Sequence, residues 1–178
     1  MASLMENLID VLDRESTEYE ALFQLSQRKT PIIASGNLAE LQKITDEEQE
    51  LVSRIHNLDK QRAGVTADIA DVLNRDVNEL KLSNLITMLS TRPAEQQALA
   101  DAHDRLQAAV RGLKRVNEQN SELLNTDCFP FFIPLNSNSF FTHSHSIKNI
   151  LQVYHFACIF PTSILLCMSL ENVMYALI

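Results

Sequence analysis

"LADAHDRLQAAVRGLKRVNEQNSELL", residues 99–124, carries Leu99, Leu106, Val110, Leu113, Val116, Leu123 and Leu124 at helical steps, with polar and charged residues between them. That spacing predicts one long amphipathic helix with a narrow apolar stripe, ending near Asn125. Pro93 fits its first turn, where a missing N–H costs little. One position interrupts the stripe. Continuing the series 99, 106, 113 leads to Asn120, with Asn117 one turn earlier on a flanking position. A polar group at a seam position sets the register of a coiled coil at a cost in stability. Alternatively, the two amides and the adjacent leucines meet another protein. The sequence leaves both readings open.

Just downstream the character of the chain changes. Residues 1–126 hold all the Lys/Arg but Lys148, and all the Asp/Glu but Asp127 and Glu171. Cys128, Cys158, Cys167 and every Phe except Phe23 lie beyond that point. "CFPFFIP", 128–134, places Pro130 and Pro134 within one helical turn, so a helix cannot pass comfortably. The expected domains are therefore a helical body over 1–126 and a poorly structured hydrophobic tail over 127–178. The tail's Phe/Ser/Asn/Ile-rich composition suits out-of-frame or foreign translation joined to a truncated gene. The rival reading is a membrane anchor, since residues 149–170 are uncharged and long enough to span a bilayer. Pro161, Asn149, Gln152 and His155 within that span argue against it.

Upstream, two more stripes appear. Leu4, Leu8, Val11, Leu12, Tyr19, Leu22 and Leu25 predict a helix over 3–29, broken by "TPIIASGN", where Pro31 disfavours a helical Thr30 and Gly36 permits a turn. Asn37 and Glu40 then resemble a capping box. Leu41, Ile44, Leu51, Ile55, Leu58 and Val65 follow at a near-3.5-residue repeat, taking a second helix to at least Arg62 and as far as Leu73 if Gly64 is tolerated. The acidic run "DEEQE", 46–50, falls mainly on its outer face. Between the long helices, Leu82, Leu85, Ile86 and Leu89 predict a short helix capped by Ser83. The fold class is all-α: an elongated antiparallel helical hairpin or three-helix coiled-coil bundle.

Chemistry is sparse. His56 and His103 lack the Glu-x-x-His spacing of a carboxylate-bridged metal site and read as surface residues. No Gly-rich phosphate loop, G-x-S-x-G or H-E-x-x-H is present, and Cys128 with His143 and His145 has the wrong spacing for zinc. No enzyme, metal or cofactor is expected. The formal net charge of −8 argues against nucleic acid and anionic membrane as partners. The N-terminus "MASLMENLID" lacks the basic region of a signal peptide, which makes the cytosol the expected compartment.

The pattern "LKRVNEQNSELL" (113–124) resembles the FlgN family of flagellar export chaperones. So do "ELVSRIHNLDKQR" (50–62), with Glu50, Leu58, Asp59 and Arg62, and the spacer "GNLAELQKI" (36–44). The resemblance covers roughly residues 3–126. It implies a cytoplasmic α-helical chaperone of type III export that binds hook–filament junction proteins, prevents their premature assembly and delivers them to the export gate. It also implies a cargo-binding surface on the last helix, here Leu113, Val116, Asn117, Asn120, Leu123 and Leu124. The remaining turns of that helix have no counterpart, so impaired cargo binding is expected. The alternative function is a tail-anchored helical adapter.

Overall fold

A computed structural model of the chain describes residues 3–128, with side chains to Leu124. Those residues form three long helices, α1 (Leu4–Ser35), α2 (Leu38–Leu73) and α4 (Pro93–Cys128), with a short α3 (Leu82–Met88) between the last two. Single 3₁₀ turns, Val77–Glu79 and Leu89–Thr91, flank α3. No strand occurs among the described residues. The expected tail and the 149–170 span lie outside them.

Each long helix has an identifiable start and stop. Ser3 opens α1 with a reciprocal capping box: its hydroxyl accepts from the Glu6 N–H at 3.1 Å, and the Glu6 carboxylate accepts from the Ser3 N–H at 2.7 Å. Gly36 closes α1 in the left-handed region, φ 66°, which an L side chain would resist. Asn37 caps α2, its side-chain oxygen accepting from the Glu40 N–H at 3.2 Å. Only that half of the expected box forms, because Glu40 turns to Lys43 instead. α2 passes through Gly64 and ends at Leu73, with Asn74 in the left-handed region, φ 52°. Pro93 is the first residue of α4.

Two local expectations are corrected. The first helix does not end at residue 29; it carries Pro31 in its interior and continues to Ser35. Proline removes one backbone bond there. The burial of Ile33, with Ile32 packed against the core, offsets that loss. Ser83 does not cap the short helix. α3 starts after Lys81 with no side-chain cap, since Leu82 is itself drawn into the core.

Cross-helix contacts fix the topology. α2 runs antiparallel to α1: Glu15 meets Arg62, and Lys29 meets Glu48. α4 runs parallel to α1: Asp13 meets Arg105, and Ser26 meets Asn120. α1 therefore lies between the other two long helices and packs on both. The three stripes merge into one core built on Leu8, Leu12 and Leu22 of α1, Ile44 and Ile55 of α2, and Leu99, Leu106 and Leu113 of α4. Leu80, Leu82, Leu85 and Leu89 close its lower end, so the irregular segment 74–91 acts as a plug. Each fully buried leucine contributes about 1.5–3 kcal/mol. A 36-residue helix such as α2 or α4 is roughly 54 Å long, so the core is a slender rod.

Candidate partner-binding face on α4

α4 presents different residues along its length. Leu99, Leu106, Val110 and Leu113 are fully buried. Val116 and Asn120 are nearly so, at 7% and 5% exposure. Asn117, Leu123 and Leu124 are half-buried. The six residues marked by resemblance thus divide. Leu113, Val116 and Asn120 turn into the bundle, whereas Asn117, Leu123 and Leu124 retain open surface.

Both polar atoms of the Asn120 amide have intramolecular partners. Its amide nitrogen donates to the Ser26 backbone carbonyl at 2.9 Å, and its side-chain oxygen accepts from the Thr30 hydroxyl at 2.7 Å. Ser26 also donates to Glu48 of α2 at 3.4 Å, and Lys29 donates to the other Glu48 oxygen at 2.6 Å. Three helices are tied at one level by a fully partnered polar layer. This supports the register-setting reading of Asn120, with its partners inside the chain.

A second polar layer lies further down. Glu15 is buried on α1, 1% exposed, against Arg62 of α2. The Arg62 Nε–H donates to Oε1 at 3.3 Å and lies 3.1 Å from Oε2, which accepts no hydrogen bond. Arg62 also donates to Asp59, which divides its charge between two carboxylates. Burial pushes the Glu15 carboxyl up to about 7, against the opposing pull of Arg62. Burial, followed by the Glu15 charge, likewise drives the Tyr19 phenol above its ordinary range.

The sequence carries a signal for both Glu15 and Ser26 in their spacing. Glu15 falls between Leu12 and Tyr19 at steps of three and four; Ser26 follows Leu22 by four. Glu48 stands between Ile44 and Leu51 at the same spacing, an inward exception within the outward "DEEQE" run. Arg62 follows Leu58 by four. A charged residue at a stripe position is a buried partner awaiting its mate.

His56 is exposed on α2. His103 is more covered than expected of a surface residue: its side chain is 12% exposed, with Nδ1 3.0 Å from Asp104. Among the described residues, no three His, Cys, Asp or Glu side chains are grouped to hold a metal ion. None of the described helices is long and apolar enough to cross a membrane.

Comparison with known proteins adds to this geometry. An uncharacterised protein of Bacillus subtilis (strain 168), YvyG, is 24% identical over 147 residues, covering 79% of this chain and 87% of that protein. No solved structure matches. The family model described as "FlgN protein" matches residues 1–127, ending beside the change in composition. Its members are flagellar export chaperones rather than enzymes, in keeping with a site made of apolar and amide groups. Three stripes, an Asn-bearing last helix and a family match across the whole helical body agree: the chain belongs to the FlgN family.

Proposed function

We infer that this protein is a cytoplasmic chaperone for hook–filament junction proteins, holding their terminal helical segments apart until delivery to the export gate. The observation that carries this reading is the fate of the α4 stripe. Beyond the Asn120 contact with α1, the stripe continues into Leu123 and Leu124, which the bundle covers only in part. A half-covered apolar strip on a rigid helix suits helix-in-groove recognition of an amphipathic segment. Asn117, Leu123 and Leu124 make the contact. Leu113, Val116 and Asn120 seat α4 on α1 and so aim the strip.

The sequence beyond Cys128 is Pro-broken and charge-poor, unlike the stripe that precedes it.

The direct test titrates the full chain against a labelled terminal helical segment of a junction protein, read by fluorescence anisotropy. Saturable binding in the micromolar range is expected. Leu123→Ser/Leu124→Ser should abolish it while leaving the circular dichroism unchanged. Absence of binding by the wild-type chain at tens of micromolar overturns the reading.

A further inference from the structure

Arg62 is the last charged residue of α2 that pairs with α1. Up to that point the seam is well fastened. Glu47, Glu48, Arg54 and Arg62 each meet an opposite charge on α1, and Ile44, Leu51, Ile55 and Leu58 are buried among them. Beyond it, among the described residues, none of 63–73 makes a side-chain hydrogen bond or an ion pair. Only Ile69 and Ala70 of that stretch are buried, with Val65 packed at the margin of the core. Gly64 lies exposed just past Arg62, where a glycine weakens a helix interior. Residues 71–79 are exposed throughout, so the chain is not buried again until Leu80. The fastening at Arg62 is itself imperfect. Glu15 is enclosed, one of its oxygens accepts no hydrogen bond, and Arg62 is shared with Asp59.

We propose that Glu15, Arg62 and Asp59 form a pH-sensitive latch that holds the C-terminal end of α2, residues 63–73, against α1. With a proton on Glu15 the enclosed group is neutral and the end stays seated. With the proton lost, the buried charge is relieved when the end lifts and water reaches the carboxylate. Isolated helices shorter than about 12–15 residues are marginal in water, so the lifted end unwinds. Continuing the antiparallel register of Glu15 and Arg62 places Ile69 near Leu8, so opening bares the first apolar turns of α1. This device is independent of the cargo reading of α4.

Other titratable and charged groups stand near this level. On α1, Arg14 pairs with Asp10, Glu18 pairs with Arg54, and the Tyr19 phenol lies one turn on. On α2, Lys60 is exposed. α4 passes at the level set by the Asp13–Arg105 pair, with His103, Asp104 and Arg111 on the adjoining turns. The His103 Nδ1 faces Asp104. None of these groups hydrogen-bonds or ion-pairs with Glu15. Glu15→Gln leaves all of them in place and removes only the proton in question.

The test is hydrogen exchange of the full chain at about pH 6 and about pH 8, corrected for intrinsic base catalysis and read by segment. At both values residues 63–73 should exchange well ahead of 44–58 and 99–113, which wait for global unfolding. The Glu15 carboxyl stands at about 7 when enclosed and at 4.5 when open, so opening of residues 63–73 should grow about tenfold between the two conditions. In Glu15→Gln that growth should vanish. Exchange of 63–73 no faster than that of 44–58 and 99–113 means that the whole bundle opens at once, which overturns the latch. Fast exchange of 63–73 with no growth beyond the intrinsic rate also overturns it, since the end then frays without moving Glu15. So does growth that survives in Glu15→Gln, which assigns the effect to another group. The first two outcomes are read on the wild-type chain and hold whatever the stability of the variant.

Discussion

The two polar layers of the bundle solve one problem in different ways. Around Asn120, a neutral amide and two hydroxyl-bearing residues of α1 share the interior with the Lys29–Glu48 pair, whose side chains keep about a tenth of their surface open. Every polar atom that the layer encloses has a partner. Around Glu15, a carboxylate is enclosed almost completely, its guanidinium partner is shared with Asp59, and one of its oxygens has no hydrogen bond. The upper layer is satisfied and neutral at its centre. The lower one holds a charge that burial disfavours. Stability should therefore respond sharply to chemistry at Glu15 and mildly at Asn120.

The sharpest break comes from Arg62. Arg62→Met leaves the Glu15 carboxylate buried without its cation and should cost about 3–5 kcal/mol in urea denaturation. Adding Glu15→Leu removes the orphaned charge and should restore most of that loss, since an apolar pair of similar volume is often as stable as a buried ion pair. Strict additivity of the two substitutions would show that the residues do not interact.

Next comes pH. The folded-state value of Glu15, about 7, lies above the unfolded 4.5. Between those values the folded chain holds a proton that the unfolded chain releases, so stability falls as pH rises through this window. It levels off above about 7. At about 1.4 kcal/mol per pH unit the loss approaches ~3 kcal/mol. Glu15→Gln removes this component, so the mutant should gain on the wild type from pH 4.5 to 8. Parallel stability curves for the two proteins would contradict the burial of the charge.

A smaller effect is expected in the upper layer. Asn120→Ala removes the nearer acceptor of the Thr30 hydroxyl, leaving it the Ser26 carbonyl at 3.4 Å, and opens a void beside Ser26, costing about 1–3 kcal/mol with little pH dependence. Because the layer sits where α4 turns from covered to half-covered, hydrogen exchange should speed up over residues 116–124 and remain slow over 99–110. A uniform acceleration along α4 would place the register lock elsewhere.

These layers also mark what could be read without coordinates. Asn120 was legible as an inward position from the seven-residue step that precedes it; its partners, 90 and 94 residues away on α1, were not. Periodicity assigns a residue to a face but does not say which helix lies opposite. Glu15 and Glu48 stand at stripe positions, but charge alone argues for an outer face, and only the helix opposite shows them to be buried. Pro31 misled for the opposite reason. Its local rule is sound, but the burial of Ile33 lies outside a local rule. The α2 helix, by contrast, follows from its stripe and its Asn37 cap alone. On α4, the sequence gives the apolar stripe but not the division between residues that seat the helix on α1 and residues that remain open.

The smallest expected difference separates two helical glycines. A Cβ at Gly64 would meet nothing within 4 Å, so Gly64→Ala should stabilise α2 by about 1 kcal/mol through helix propensity. A Cβ at Gly112 would lie 3.3 Å from the Phe23 ring on α1, closer than a comfortable contact. Phe23 is half-buried and packs at the margin of the core, so its ring can shift a few tenths of an ångström. That movement consumes part of the same propensity gain, and Gly112→Ala should stabilise by about 0.5 kcal/mol or less. Thermal melting of the two single variants measures the difference directly. A Gly112→Ala protein less stable than wild type would mean that α4 rests on α1 through a Phe23 that cannot move. The α1–α4 seam would then be as rigid at Gly112 as at Leu113, and flexibility in α4 would begin only beyond Asn120.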